Sequence, residues 1–141
     1  MDLRTTADSA EDAAAGFRMF REPLPDDRAE ITDLIAELFT ISSSLRTFDD
    51  LAGERRYRRT FVVACEDLDL IRTSLNFTIE DIVDFFGSIE PSKPAPRDAY
   101  RKTWRELRSF FRKEAGYTLA SRLGKYTAFL KELKDMVKEY V

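Results

Sequence analysis

The side chains with the clearest capacity for chemistry are arginines, and they occur in two groups. Four lie within five positions of the stretch GERRYRRTF at 53–61 and form what we call the arginine cluster: Arg55, Arg56, Arg58 and Arg59. A basic stripe follows at spacings of four, four, three and four residues: Arg97, Arg101, Arg105, Arg108 and Arg112. Guanidinium groups bind carboxylates and phosphates through paired hydrogen bonds. Both groups therefore indicate contact with something anionic.

The charge of the chain is unevenly distributed, which gives the arginines two alternative roles. Residues 1–54 hold 13 acidic and 5 basic residues, whereas residues 55–141 hold 13 and 18. In one interpretation the arginines pair with the acidic half, where exposed pairs contribute only about 0–1 kcal/mol each; the candidate acids are Asp33, Glu37, Asp49 and Asp50. In the other they bind an acidic protein, an acidic lipid or a nucleic acid. Nucleic acid is not expected, because such binders are usually basic and the sequence pI is 5.2.

Most residues that usually form catalytic and metal-binding sites are absent from the sequence. The chain has no histidine, one cysteine (Cys65) and no glycine-rich phosphate loop, which excludes the common triads, structural zinc sites and nucleotide motifs. The acidic run EDLD at 66–69 lacks the glycine and the distant glutamate of a calcium loop and falls in a predicted helix, which favours a solvated face. We predict a protein that is not an enzyme, with no catalytic residue, metal site or cofactor.

Apolar residues recur at alternating spacings of three and four, which is typical of amphipathic helices packed nearly parallel. Four long segments show this pattern, with apolar stripes over 31–48, 57–75, 100–111 and 119–140. A fifth, short helix is predicted over 78–87, with Ile79, Ile82, Val83 and Phe86 facing inward. The predicted fold class is all-α: a bundle of four long helices plus one or two short helices.

Capping residues and breakers set the expected boundaries. Asp27 with Glu30, and Thr78 with Asp81, have the spacing of helix-starting capping pairs, while Gly53 and Gly87 are natural stops. The proline-rich stretch 88–96 is expected to be a connector, and it leaves the order of the helices open. Residues 1–24 are predicted to form a flexible tail with a possible short helix, and residues 25–141 a single helical-bundle domain.

Several apolar residues lie off the stripes: Phe39, Val62, Val63, Phe110 and Phe129. The first interpretation is that the N-terminal helix and the 78–87 helix cover them. The second is an exposed apolar groove that accepts a partner helix. Residues 10–24 could fill such a groove within the same chain, through Phe17, Met19, Phe20 and Leu24.

The compartment is indicated by what the sequence lacks. No apolar run approaches the roughly 18–20 residues that span a bilayer, and the N-terminus has no signal-peptide pattern. A single cysteine cannot form an internal disulfide, as is usual in reducing compartments. We expect an intracellular protein, with the cytoplasm as the expected compartment.

Four segments carry a family resemblance: ITDLIAELFTISSSLR (31–46), DLDLIRTSLNFTIEDIVDFFG (67–87), YRKTWRELRSFF (100–111) and LASRLGKYTAFLKEL (119–133). Together they resemble a helical domain that recurs in uncharacterised ascomycete fungal proteins, over residues 28–135. The resemblance implies a helical domain often attached to other regions. It implies no established activity and brings no functional residue with it.

Without catalytic residues, the basic surfaces and the apolar groove carry the functional hypothesis. We expect a protein–protein interaction module, an adaptor or scaffold, that docks a partner through the arginines and an adjoining apolar groove. The alternatives are a peripheral membrane module that binds acidic lipids and an oligomerisation domain; the oligomeric state is left open. The candidate partner-binding residues are Arg55, Arg56, Arg59, Arg101, Arg105, Arg108 and Arg112.

Overall fold

The computed structural model describes residues 2–87, 89 and 96–139. Within these residues the chain forms α-helices and short 3₁₀ helices and no strand, which confirms the predicted all-α fold. The helices are α1 (Leu3–Arg21), α2 (Arg28–Ala52), α3 (Arg58–Phe86), α4 (Arg97–Ala115) and α5 (Leu119–Glu139). One-turn 3₁₀ helices, Pro25–Asp27 and Arg55–Tyr57, lead into α2 and α3.

Four of the helices, α1, α2, α3 and α5, lie side by side around the core. Helix α1 runs antiparallel to α2, because Arg4 near its start is 2.6 Å from Asp49 near the end of α2. Helix α5 runs antiparallel to α3: Tyr126 near its start forms a 2.6 Å hydrogen bond with Ser74, whereas Met136 near its end lies beside Val63 near the start of α3. Pairs of this kind fix the register of neighbouring helices, while buried apolar stripes supply most of the stability.

Helix α4 lies across one end of this bundle and closes it. Its inner face meets the ends of α1 and α3 through aromatic pairs: Phe17–Trp104 (6.2 Å between ring centroids), Phe20–Tyr100 (5.2 Å) and Phe85–Phe110 (5.4 Å). It also reaches the start of α2, where Glu30 is 3.2 Å from Arg108. The sequence left the order of the helices open. In the structure α1, α2, α3 and α5 form the bundle, and α4 connects α3 to α5 across one end of it.

Most of the predicted apolar stripes are buried. Every predicted stripe residue of α2 is in the core, as are the main stripe residues of α5: Ile31, Leu34, Leu38, Ile41, Leu45, Phe48, Leu119, Leu123, Leu130, Leu133 and Val137. Helix ends at Gly53 and Gly87 are also confirmed. The expected connector at 88–96 lies outside the described residues, apart from Ile89 and Pro96.

The N-terminal segment differs from the predicted flexible tail with a short helix. Leu3–Arg21 form a helix of 19 residues. It begins at Asp2, whose carboxylate accepts hydrogen bonds from the Thr5 hydroxyl and, at 3.0 Å, from the Thr5 backbone N–H. The hydroxyl bond, and then the backbone bond, lower the pKa of Asp2. Alanines fill much of its buried face, together with Phe17 and Phe20. This helix is one of the four members of the bundle.

Two predictions of side-chain capping at helix starts are wrong. Helix α3 continues through Thr78, which is fully buried and whose hydroxyl contacts the Ser74 carbonyl at 3.2 Å, one turn back, instead of capping a new helix. As a result Val83, predicted to face inward, is 45% exposed. Asp27 does precede α2, yet its side chain makes no capping hydrogen bond to any described residue.

Candidate docking surfaces

The two groups of arginines lie at opposite ends of the bundle. The arginine cluster lies at the start of α3, and the basic stripe lies on α4 at the end where α3 stops. Helix α3 has 29 residues, which at 1.5 Å per residue separates the two groups by roughly 40 Å. The seven predicted partner-binding arginines are all exposed. The structure therefore brings them to two separate surfaces.

Few of these arginines pair with the acidic half of the chain. Arg108 is 3.2 Å from Glu30, and Arg101 is 3.6 Å from Asp98 of its own helix. Two of the acids predicted to pair with them have other partners, since Asp49 binds Arg4 and Glu37 accepts a hydrogen bond from Thr127 at 2.7 Å. No ion pair with any described residue is formed by the remaining predicted arginines: Arg55, Arg56, Arg59, Arg105 and Arg112.

The interpretation that other helices cover the apolar residues off the predicted stripes is wrong for Val62, Val63 and Phe129. The other two are partly covered, since Phe110 packs against Phe85 of α3 and Phe39 lies under Arg18 of α1. Val63 is 73% exposed, Val62 70% and Phe129 60%. The segment 10–24 does not cover Val62, Val63 or Phe129, because its own Phe17, Phe20 and Leu24 are buried in the core. Exposed apolar patches are typical of surfaces at which proteins bind other molecules, which makes this surface a candidate docking site.

A groove of about 520 Å³ lies between α3 and α5. Ile71 and Leu133 lie on its inner side, and Leu70 and Phe129 stand exposed at its edges. It continues past Met136 to Val63 and Arg59. We call this surface the α3–α5 groove.

The spacing of the exposed residues on α3 matches a docking face. Val63, Leu70 and Phe77 recur every seven residues, so they share one side of the helix, and all three are at least 64% exposed. They span about 21 Å of helix. Leu70 and Phe77 were missed by the sequence analysis because α3 has two apolar sides, and the stronger stripe, through Ala64, Leu68 and Leu75, is the one that is buried.

Hydrogen bonds hold the two walls of the groove at a fixed separation. The Tyr126 hydroxyl of α5 lies 2.6 Å from the Ser74 hydroxyl and 3.1 Å from that of Thr78, both on α3. Because Thr78 is fully buried, this connection ties the groove to the core. The groove is thus formed before any partner arrives, which lowers the entropic cost of binding.

Charged residues border the α3–α5 groove in the order basic, acidic, basic. Arg59 lies at one end, and Asp67 and Glu132 line the middle. Lys125 and Arg122 lie at the other end. Arg122 is 3.6 Å from Glu114, so Lys125 carries the less compensated charge there. A partner fits this surface if its own charges alternate in the opposite sense.

Asp81 on α3 gives a testable pH dependence. Burial, and then repulsion from Glu114 of α4, raise its pKa above the ordinary 3.8, although Arg122 acts in the opposite direction. The folded protein therefore holds this proton more tightly than the unfolded chain, and stability falls as the pH rises from 3.8 through the raised pKa. We expect Asp81→Asn to be more stable than the native protein at pH 7 and to lose that advantage near pH 3.5. Urea unfolding at both pH values measures it; an equal advantage at both would contradict the assignment.

Among the described residues, no group of three or more acidic, cysteine or histidine side chains is arranged to hold a metal ion. In the acidic run at 66–69, Asp69 is paired with Arg72 at 2.8 Å. In the described part of the chain, none of the helices combines the length and the apolar composition that crossing a bilayer requires.

Comparison with known proteins adds no relative. No protein-family model, curated protein or solved structure gives a significant match to the chain. The resemblance to a helical domain of fungal proteins stays a prediction.

Proposed function

We propose that the protein is a non-catalytic interaction module that binds an amphipathic helix of a partner protein in the α3–α5 groove. The observation that carries the proposal is the exposed row of Val63, Leu70 and Phe77 on α3, in which Leu70 lines the groove together with Phe129 of α5. Tyr126 fixes the two walls of the groove. A helix that lays an apolar face into such a groove contributes anchors at every third or fourth residue. With about 21 Å of apolar surface available, the bound helix is about 14 residues long.

The charges around the groove favour a different protein, and not a second copy of this chain, as the binding partner. In a two-fold dimer the groove of one chain would contact the same groove of the second chain, so the centre of one groove would face the centre of the other. Asp67 and Glu132 would then face acidic side chains, and the basic ends would face basic ends. Because facing like charges disfavours association, the partner helix is expected to have basic residues at its centre and acidic residues at its ends.

Two designed peptides test this assignment. They share one apolar face; the first has lysines at its centre and glutamates at its ends, and the second has the signs exchanged. We expect the first to bind more tightly in fluorescence anisotropy. Leu70→Asp should weaken its binding about tenfold or more, since placing a carboxylate in an apolar contact costs more than about 1.4 kcal/mol. Val83→Asp is the matched control, because Val83 is also exposed on α3 but on another side.

Each alternative role has its own outcome. Equal binding of both peptides, or equal loss in both variants, would rule out the groove as a specific site. A mass in solution that is a clear multiple of 16.3 kDa, restored to the monomer by Leu70→Asp, would favour an oligomerisation domain. Sedimentation with protein-free acidic vesicles, lost when the basic stripe is neutralised, would favour the peripheral membrane module.

A further inference from the structure

A second cavity, of about 260 Å³, lies on the other side of α5, where α4 crosses the starts of α2 and α5. Three arginines of the basic stripe line it, namely Arg105, Arg108 and Arg112. Glu30 also lines it and is 3.2 Å from Arg108. Three cations against one carboxylate leave this cavity with an excess of positive charge.

The uncharged groups around the cavity are also suited to an anion. Helix α5 starts there, with Thr118, Leu119 and Ala120 among the lining residues. The Thr118 hydroxyl caps this start by accepting the Ser121 N–H at 3.2 Å. The first N–H groups of a helix have no acceptor within the helix and carry the positive end of its dipole, so they add donors beside the arginines.

Trp104 lies in the wall of the same cavity and is only 3% exposed. The guanidinium carbon of Arg108 is 5.9 Å from the centroid of its ring. A ligand held by the arginines would therefore change the surroundings of the indole group.

We propose that this cavity binds the phosphate group of a phosphorylated small molecule or lipid headgroup. Arginine side chains at successive turns of α4 can each give a phosphate two hydrogen bonds, and the start of α5 is a suitable anion site. A single water molecule needs only about 10–15 Å³. The cavity therefore has room for a phosphate group and part of the molecule that carries it. This site lies apart from the α3–α5 groove and does not depend on it.

The single tryptophan of the chain gives a direct measurement. Pyrophosphate titrated into the ¹⁵N-labelled protein in chloride buffer is expected to shift the Trp104 indole N–H resonance saturably. Arg112→Gln should weaken binding roughly tenfold or more, as expected for loss of a charged hydrogen bond. Lys102→Gln also removes one positive charge from an exposed position of α4, outside the lining residues, and should change the affinity less than about twofold. Glu30→Gln should tighten binding, because it removes the carboxylate from the cavity.

Three outcomes would overturn the proposal: no saturable shift, equal loss in Lys102→Gln and Arg112→Gln, or weaker binding in Glu30→Gln. Two probes separate the sources of the phosphate. Phosphatidylcholine vesicles with and without a phosphatidylinositol phosphate are sedimented with the native protein and with Arg112→Gln. Sedimentation that requires both the phosphorylated lipid and Arg112 identifies a lipid headgroup. Pyrophosphate binding without sedimentation identifies a soluble phosphorylated molecule.

Discussion

Replacing Phe17 with alanine is expected to lower the free energy of unfolding by about 3–5 kcal/mol. The side chain is fully buried. It contacts Phe86 of α3 edge-on, with 5.0 Å between ring centroids, and Trp104 of α4 at 6.2 Å. Removing it leaves a cavity where three helices meet. Since a domain is stable by only about 5–15 kcal/mol, this one change removes a large part of the total.

The measurement is urea unfolding followed by circular dichroism, with Met19→Ala as the matched control. Met19 lies two residues away on α1 and is 50% exposed, so its replacement is expected to change stability by no more than about 0.5 kcal/mol. If the two variants were equally stable, α1 would not belong to the core, and the tail predicted from the sequence would be the better description.

The sequence predicted α2 and α5 well because their stripes are built from large apolar residues. Leu34, Leu38 and Leu45 repeat without interruption and face one side only. The length of helix α1 was underestimated because alanines occupy much of its buried face, and alanine differs little in hydrophobicity from the residues around it. The alanines concerned are Ala7, Ala10, Ala13 and Ala14, all fully buried. Small side chains let α1 approach its neighbours closely, which the spacing alone does not reveal.

The exposed arginines were predictable residue by residue, but the surfaces on which they lie were not. The exposure of the arginines follows from their position opposite the apolar stripes, and the structure agrees. Their separation depends on α4 crossing the end of the bundle, which is decided by tertiary pairs such as Phe20–Tyr100. The same crossing brings Arg105 and Arg112 to the start of α5. No local sequence pattern predicts which helices pack against each other when they are this distant in the chain.

A matched pair of glycine substitutions tests the contact between α1 and α3. A β-carbon added at Gly16 would lie 2.3 Å from Phe86 Cε2 and 2.5 Å from Cδ2. The Phe86 ring cannot easily move away, because Phe17 and Phe20 hold it at centroid distances of 5.0 and 5.5 Å. Overpacking of this kind typically costs about 1–3 kcal/mol, against a gain of about 1 kcal/mol from replacing glycine by alanine within a helix. We expect Gly16→Ala to be destabilising overall.

Gly124 in α5 provides the control, since an added β-carbon there meets nothing within 4 Å. Gly124→Ala is expected to stabilise the protein by about 0.5–1 kcal/mol through helix propensity alone. The propensity gain is common to both variants, so their difference in unfolding free energy, about 1–3 kcal/mol, reports the contact with Phe86. The double variant Gly16→Ala with Phe86→Leu should recover part of the loss, because the smaller side chain makes room for the methyl group. Equal stabilisation by both single substitutions would show that α1 and α3 are not in close contact at Gly16.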